Sequence, residues 1–219
     1  MPPDALHPGR PFRRWLREWI VALYAPYVAV RCCKFTNSKT QAERIALYAL
    51  ITTCLLAEQL ERLSQLGLLV DIMVDVVGQD IVGTEQERRP RDEADALLAD
   101  ERLRSLAAAL NRLDGFTREL VVLHHITHID VDALGRLYQV APARISMEIS
   151  KGERELSRQL SACDRAARRG GGVDLLRLLA EYATSVQSAW AHGLGKYALA
   201  YLAEWDSPRA PPNDPWRLN

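Results

Sequence analysis

The chain has no excess of charge of either sign. Its 219 residues carry 28 lysines and arginines against 28 aspartates and glutamates, a formal net charge of zero. No global basic field draws it to nucleic acid, so any DNA contact has to come from local clusters or from a shared assembly. A long apolar run is also missing. The longest, Leu66–Val82, is interrupted by Asp71, Asp75 and Asp80, which excludes a membrane span. Cysteine is scarce: Cys32, Cys33, Cys54 and Cys163 show no framework spacing and are expected to be buried, reduced thiols of a cytoplasmic protein. Pro2, Pro3 and Pro8, followed by Arg13 and Arg14, flank no clean apolar segment, so no secretory leader is expected.

The usual marks of catalysis are missing too. The run Gly170–Gly172 leads into Val173 and lacks the Lys-Ser/Thr pair that grips phosphate in a phosphate loop. No Ser-His-Asp or Cys-His spacing suggests an activated nucleophile. His124 and His128 are four apart, but no glutamate lies between them as a zinc protease needs, and the nearest cysteine, Cys163, is far along the chain. His124, His125 and His128 are therefore read as polar helix-end and loop residues. A non-enzymatic protein without metal or cofactor is expected.

What is present is helical periodicity, in a chain 48% hydrophobic and 26% charged. Residues 1–11 are proline-rich and expected to be disordered. From Phe12, Trp15, Trp19, Ala22 and Leu23 recur at helical spacing opposite Arg13, Arg14 and Arg17. Thr40 and Glu43 resemble a capping box opening a helix to about Leu60. Gly67 marks a candidate break, and Leu69, Ile72, Met73, Val76 and Val77 follow the 3.6-residue period of a helix over about 68–82. The charged stretch 83–95 reads as a linker. A second module spans about 96–162, and residues 168–172 form a second joint. The segment 173–205 adds a C-terminal extension with the stripe Leu175, Leu179, Tyr182, Val186 and Trp190. The expected fold is all-α: helical domains over 12–82 and 96–162, then the extension.

Residues 106–160 carry the strongest signal. Leu106, Ala109, Leu110, Leu113, Phe116, Leu120, Val121 and Leu123 form two helices split at Asp114-Gly115. Asp130 or Asp132 caps a short helix with Val131, Leu134 and Leu137 facing inward. Gln139-Val140-Ala141-Pro142 makes a tight turn, with Pro142 in the first turn of the next helix, where it is tolerated. Ile145 and Ile149 pin that helix to the core. Arg144, Ser146, Met147, Glu148 and Lys151 are left outward, placed to meet base edges, with Arg154, Arg158 and Arg136 placed to meet phosphates. This is the layout of a helix-turn-helix DNA reader.

The same segment resembles region 4 of bacterial RNA polymerase sigma factors, especially the extracytoplasmic-function type. Leu113, Arg118, Val140, Pro142, Ile145, Ile149, Lys151 and Leu156 match that pattern. Asp114 replaces its proline, Glu148 stands where arginine is usual, and Gly152 replaces a common alanine, weakening the helix by roughly 1 kcal/mol. Residues 24–82 resemble region 2 through Tyr24, Pro26 and Tyr27, then Thr36, Ala42 and Glu43. The resemblance implies that Arg44, Tyr48, Thr52 and Glu58 contact core RNA polymerase; the alternative is a plain helical hairpin with Tyr48 in its core. It implies promoter DNA as ligand, with an anti-sigma or other regulatory protein as an open further partner. Asp71 and Asp75 depart from the family's basic and aromatic −10 helix, and their carboxylates are expected to repel phosphate. Arg88, Arg89 and Arg91 are the alternative melting residues. The competing reading is a stand-alone helix-turn-helix regulator, or a sigma-like interaction module without promoter melting.

Overall fold

Aliphatic and aromatic residues recur along the first thirty positions at helical spacing, and they form one long helix, α1 (Arg10–Cys32), which passes through Pro26. It belongs to a computed structural model that describes residues 10–84, 97–166, 174–186 and 192–205. The stripe of α1 differs from the one its tryptophans suggest. Leu16, Ile20, Tyr24 and Tyr27 are buried, while Trp15 is 43% exposed and Ala22 also faces outward. Arg17, assigned to the solvated face, is buried, and its guanidinium meets Glu58 at 2.9 Å. The reason is that α1 is covered on several sides at once, so more than one stripe turns inward.

The second helix, α2 (Lys39–Ala57), is capped by Ser38, whose hydroxyl accepts from the Gln41 amide at 3.3 Å. Ser38 thus takes the role expected of the Thr40–Glu43 box, and the helix stops three residues short of Leu60. A 3-10 turn at Leu63–Gln65 leads into α3 (Leu66–Thr84), which runs through Gly67 without a break. Residues 1–9, most of the expected linker and the glycine joint lie outside the described residues.

Three aspartates start the next three helices. Asp100 caps α4 (Glu101–Arg112), Asp114 caps α5 (Gly115–His125) and Asp130 caps α6 (Val131–Tyr138), each accepting from a first-turn amide. Then come α7 (Pro142–Ala166), α8 (Leu175–Val186) and α9 (His192–Trp205). Among the described residues there are no strands, so the fold is all-α. Gly193 and Gly195 lie in the first turn of α9. No described helix is long and apolar enough to cross a membrane.

Helices α1, α2 and α3 pack on one another, and α4, α5 and α6 pack on α7. The two groups also meet, because α1 packs on α4 and α5, and α3 packs on α5. The apolar core is therefore continuous across the boundary drawn at 83–95. Leu106, Leu110, Leu120, Leu123 and Ile145 are fully buried within it, each contributing roughly 1.5–3 kcal/mol by leaving water. The extension divides in two: α8 packs on α1, α4, α5 and α7, while α9 lies on α1 and α2. Burial raises the Cys33 thiol to about 11 and the Cys54 thiol to about 12, so neither is a nucleophile at neutral pH.

Gly152 has a packing reason that its helix propensity hides. A Cβ there would lie 2.6 Å from Val121 Cγ2 and 2.8 Å from Thr117 Cγ2, because α7 crosses α5 at this point. Gly152→Ala is therefore expected to destabilise the protein by about 1–3 kcal/mol, although propensity alone predicts a gain of roughly 1 kcal/mol. Urea unfolding of the two proteins gives the sign directly.

Candidate nucleic-acid interface

The turn between α6 and α7 is built by local chemistry. Gln139 adopts a left-handed conformation with φ 56°, and its amide closes on the carbonyls of Gly135 and Arg136. The Val140 amide donates to Gly135 O at 2.9 Å. Together these bonds satisfy the carbonyls at the end of α6. Gly135 is required by close approach: a Cβ would sit 2.9 Å from Val140 O and 3.3 Å from Pro142 Cγ. Pro142 opens α7 at fixed φ, and Ile145 and Ile149 bury the first turns against the core.

This frame leaves a defined outer face. Arg144, Ser146 and Met147 are exposed, Met147 by 59%. Arg136 and Arg144 are exposed and make no ion pair among the described residues. Arg154 is exposed too, its Nε donating to Ser150 O at 3.2 Å. Other members of the expected set are engaged. Glu148 is half-buried; its carboxylate accepts from Thr117 Oγ1 at 3.3 Å and from Lys151 Nζ at 3.2 Å. It is tied to the start of α5 and is not the outward base-reading group the sequence suggests. Lys151 is exposed but lies 3.7 Å from Asp114 as well. Arg158 pairs with Glu155 at 2.6 Å. These surface pairs are weak and exchange readily for phosphate contacts.

The residues implied for polymerase contact are placed differently from expectation. Tyr48 is buried at 7% exposure, so the hairpin-core alternative describes it. Burial is also what raises its phenol above the usual value. Arg44 and Thr52 are half-buried. Glu58 is half-buried and turned towards α1, where it pairs with Arg17 and, at 3.4 Å, with Arg13.

Asp71 and Asp75 are not bare carboxylates facing phosphate. Arg31, buried on α1, lies 2.8 Å from Asp71 and 2.7 Å from Asp75, and Lys34 reaches Asp75 at 3.1 Å. Tyr27 donates to Asp71 Oδ1 at 2.8 Å, and Arg118 of α5 pairs with Asp71 Oδ2. Their negative charge is offset by three cations, which removes the expected repulsion. Asn111 of α4 completes this polar seam: its Oδ1 accepts from Arg31 at 2.8 Å and its amide donates to Val30 O at 2.7 Å.

One buried carboxylate, Glu119 of α5, sits where α1, α3 and α6 meet that helix. The hydroxyls of Tyr24 on α1 and Tyr138 on α6 both donate to Glu119 Oε1 at 2.5 Å. Gly67 on α3 leaves the space its carboxylate occupies, since a Cβ there would come within about 2 Å of it. Burial raises the Glu119 carboxyl to about 7, with the two tyrosine hydrogen bonds acting in the opposite direction. Sequence reading missed Glu119, Asn111 and the pairing of Arg118. The available signal was a charged pair, Arg118-Glu119, beside the apolar run Leu120–Leu123.

The three histidines line one open cleft, with the His124 and His125 rings 4.7 Å apart, but the ring nitrogens of His124 and His125 are engaged separately. His124 Nδ1 lies 2.8 Å from Ile129 O, His125 Nε2 lies 2.8 Å from Glu153, and His128 is exposed at φ 60°. Among the described residues no group of histidine, cysteine, aspartate and glutamate has the arrangement of a metal site. No protein-family model, no curated protein and no solved structure matches the chain.

Proposed function

We propose that the protein is a non-enzymatic transcription initiation factor of the sigma type, which binds core RNA polymerase and reads the promoter −35 element through α7. The observation that carries this reading is the unit α6–turn–α7. A glycine-dependent turn and a buried isoleucine pair hold the first turns of α7 rigidly, with Arg144, Ser146 and Met147 outward. That is how a recognition helix enters a major groove. Arg144 is suited to a guanine edge, and Arg136 and Arg154 to phosphates on either side. Acidic residues beside Lys151 and Arg158 lower the local positive charge of α7, so binding by α7 alone is weak and affinity is shared with the polymerase.

Arg144→Ala is expected to weaken promoter recognition by about 1–3 kcal/mol and to relax the preference at one base pair. Competition binding against single-base operator variants measures both. An unchanged base preference would remove α7 from the role. Size-exclusion chromatography of the protein with core RNA polymerase tests the partner directly, and co-elution is the expected result.

A second reading, a stand-alone helix-turn-helix regulator, has one observation in its favour. The α3 face that would handle a melted −10 strand offers Leu68, Ile72 and Val76 and no aromatic ring on which bases could stack. Sequence-specific binding to duplex DNA in the absence of polymerase, with no co-elution, would select that reading.

A further inference from the structure

We propose that α3 is a self-association surface: two copies of this chain pair antiparallel through its outer face, with Ile72 on the two-fold axis. The proposal is independent of the reading of α7 and concerns a helix to which that reading gives no role.

The outer face of α3 is aliphatic and exposed. Leu68, Ile72 and Val76 are 64%, 45% and 57% exposed, at i, i+4 and i+8. They form the kind of ridge that packs between helices. Leu69 and Met73 run half-buried along one side of it, and Leu63 is exposed in the turn before. A contiguous apolar ridge left in water marks an interaction site.

The chemistry of the ridge selects its occupant. Helix α3 contains no lysine, arginine or aromatic residue, so it has no group with which to hold nucleic acid. Asp71 and Asp75 are answered within the chain by Arg31, Lys34 and Arg118, so they are not offered to a charged partner. What remains is complementary to itself. Exposed Gln65 and Gln79 close the two ends of the ridge. The series Gln65, Leu68, Ile72, Val76, Gln79 is spaced by 3, 4, 4 and 3 residues, the same in either direction. Antiparallel pairing therefore sets Ile72 against Ile72 of the second copy and Leu68 against Val76. It sets Gln65 against Gln79, whose amides both donate and accept. These are the reciprocal contacts that a two-fold interface requires. Exposed Arg62 and Asp80, of opposite sign, lie just beyond the ends of the series. Antiparallel order brings each towards its opposite on the second copy, whereas parallel order brings like towards like. The chain has no net charge, so two copies meet without long-range repulsion. The ridge is small against the roughly 1,600 Å² of a standard interface, so a reversible dimer with a dissociation constant of roughly 10–100 µM is expected.

Sedimentation equilibrium of the full chain, without polymerase or DNA, tests the pairing. Loading from about 2 to about 400 µM brackets the expected constant, and wild type is expected to pass from monomer to mostly dimer. Ile72→Lys sets two ammonium groups against each other on the axis and is expected to weaken pairing by about tenfold or more. Its urea unfolding should match wild type, because the side chain is half in water. Leu68→Lys and Val76→Glu are each expected to weaken pairing alone. Mixed one to one they are expected to restore it, because the introduced ammonium and carboxylate then meet while the second Leu68–Val76 contact is untouched. A wild type that stays monomeric across the range overturns the proposal and leaves the ridge to a different protein. A dimer that survives Ile72→Lys overturns it too, since pairing then lies on another face. Loss of the dimer in the single variants without repair on mixing overturns the antiparallel order and the proposal with it. None of these results bears on α7.

Discussion

Asp71→Ala is expected to destabilise the protein by about 3–5 kcal/mol, the range for breaking a buried ion pair from one side. Asp71, like Glu119, is a carboxylate that touches both groups of helices. It accepts from Tyr27 of α1, pairs with Arg31 of α1 and pairs with Arg118 of α5. Arg31 and Arg118 are 4% and 5% exposed, so neither guanidinium regains water when the carboxylate is lost. Arg118 would keep the Tyr27 hydroxyl at 3.0 Å and Leu113 O at 3.2 Å, which are neutral acceptors. Arg31 would keep Asp75, which places the expected cost towards the lower end of the range. Asp75→Ala is the internal comparison. Its side chain is 35% exposed and shares its work with Asp71, so it is expected to cost about 1 kcal/mol or less. Urea unfolding at neutral pH measures both variants. If the Asp71 variant loses no more than the Asp75 variant, the seam is not what joins the two groups of helices.

The helix-turn-helix was legible because its determinants are local. Asp114 and Asp130 cap helices that begin one residue later, and Gly135, Gln139 and Pro142 shape a turn within eight positions. The seam was not, because amphipathic periodicity says which positions are buried and not what they meet. Tyr24 and Glu119 are 95 residues apart, and Asp71 and Arg118 are 47 apart. Read along the chain, Asp71 and Asp75 are unpaired acids on an apolar helix; in the fold they answer Arg31 and Arg118. The same limit explains Gly152, which looks like a weak helix former until α5 crosses it. It also explains Tyr48 and Glu58. Their positions on α2 and at its C-terminal cap could be counted, but α1 and α9 decide which of its faces is left to solvent.

Glu119 gives the seam a pH dependence whose direction can be worked out. Its ordinary carboxyl value is 4.5, and in the folded protein burial raises it to about 7. Between those values the folded state holds a proton that the unfolded chain has released. Stability must therefore fall as pH rises through that window. The contribution is fully present below about pH 4.5 and is lost as pH passes about 7. A shift of this size corresponds to about 3 kcal/mol at most. Glu119→Gln keeps the shape and the acceptor for Tyr24 and Tyr138 but cannot titrate. The difference in unfolding free energy between wild type and this variant is expected to change by about 2–3 kcal/mol between pH 4.5 and 7.5, with the variant gaining relative to wild type. Asp114 works the other way, since its carboxyl is held below the usual range despite partial burial by its hydrogen bonds from Thr117 and by Lys151. Asp114 is present in both proteins and cancels in the difference. A flat difference across the window would mean that Glu119 stays in one protonation state throughout. A difference confined to hydrogen exchange in α1 and α6, without a change in global unfolding, would place the titration in opening of the seam itself.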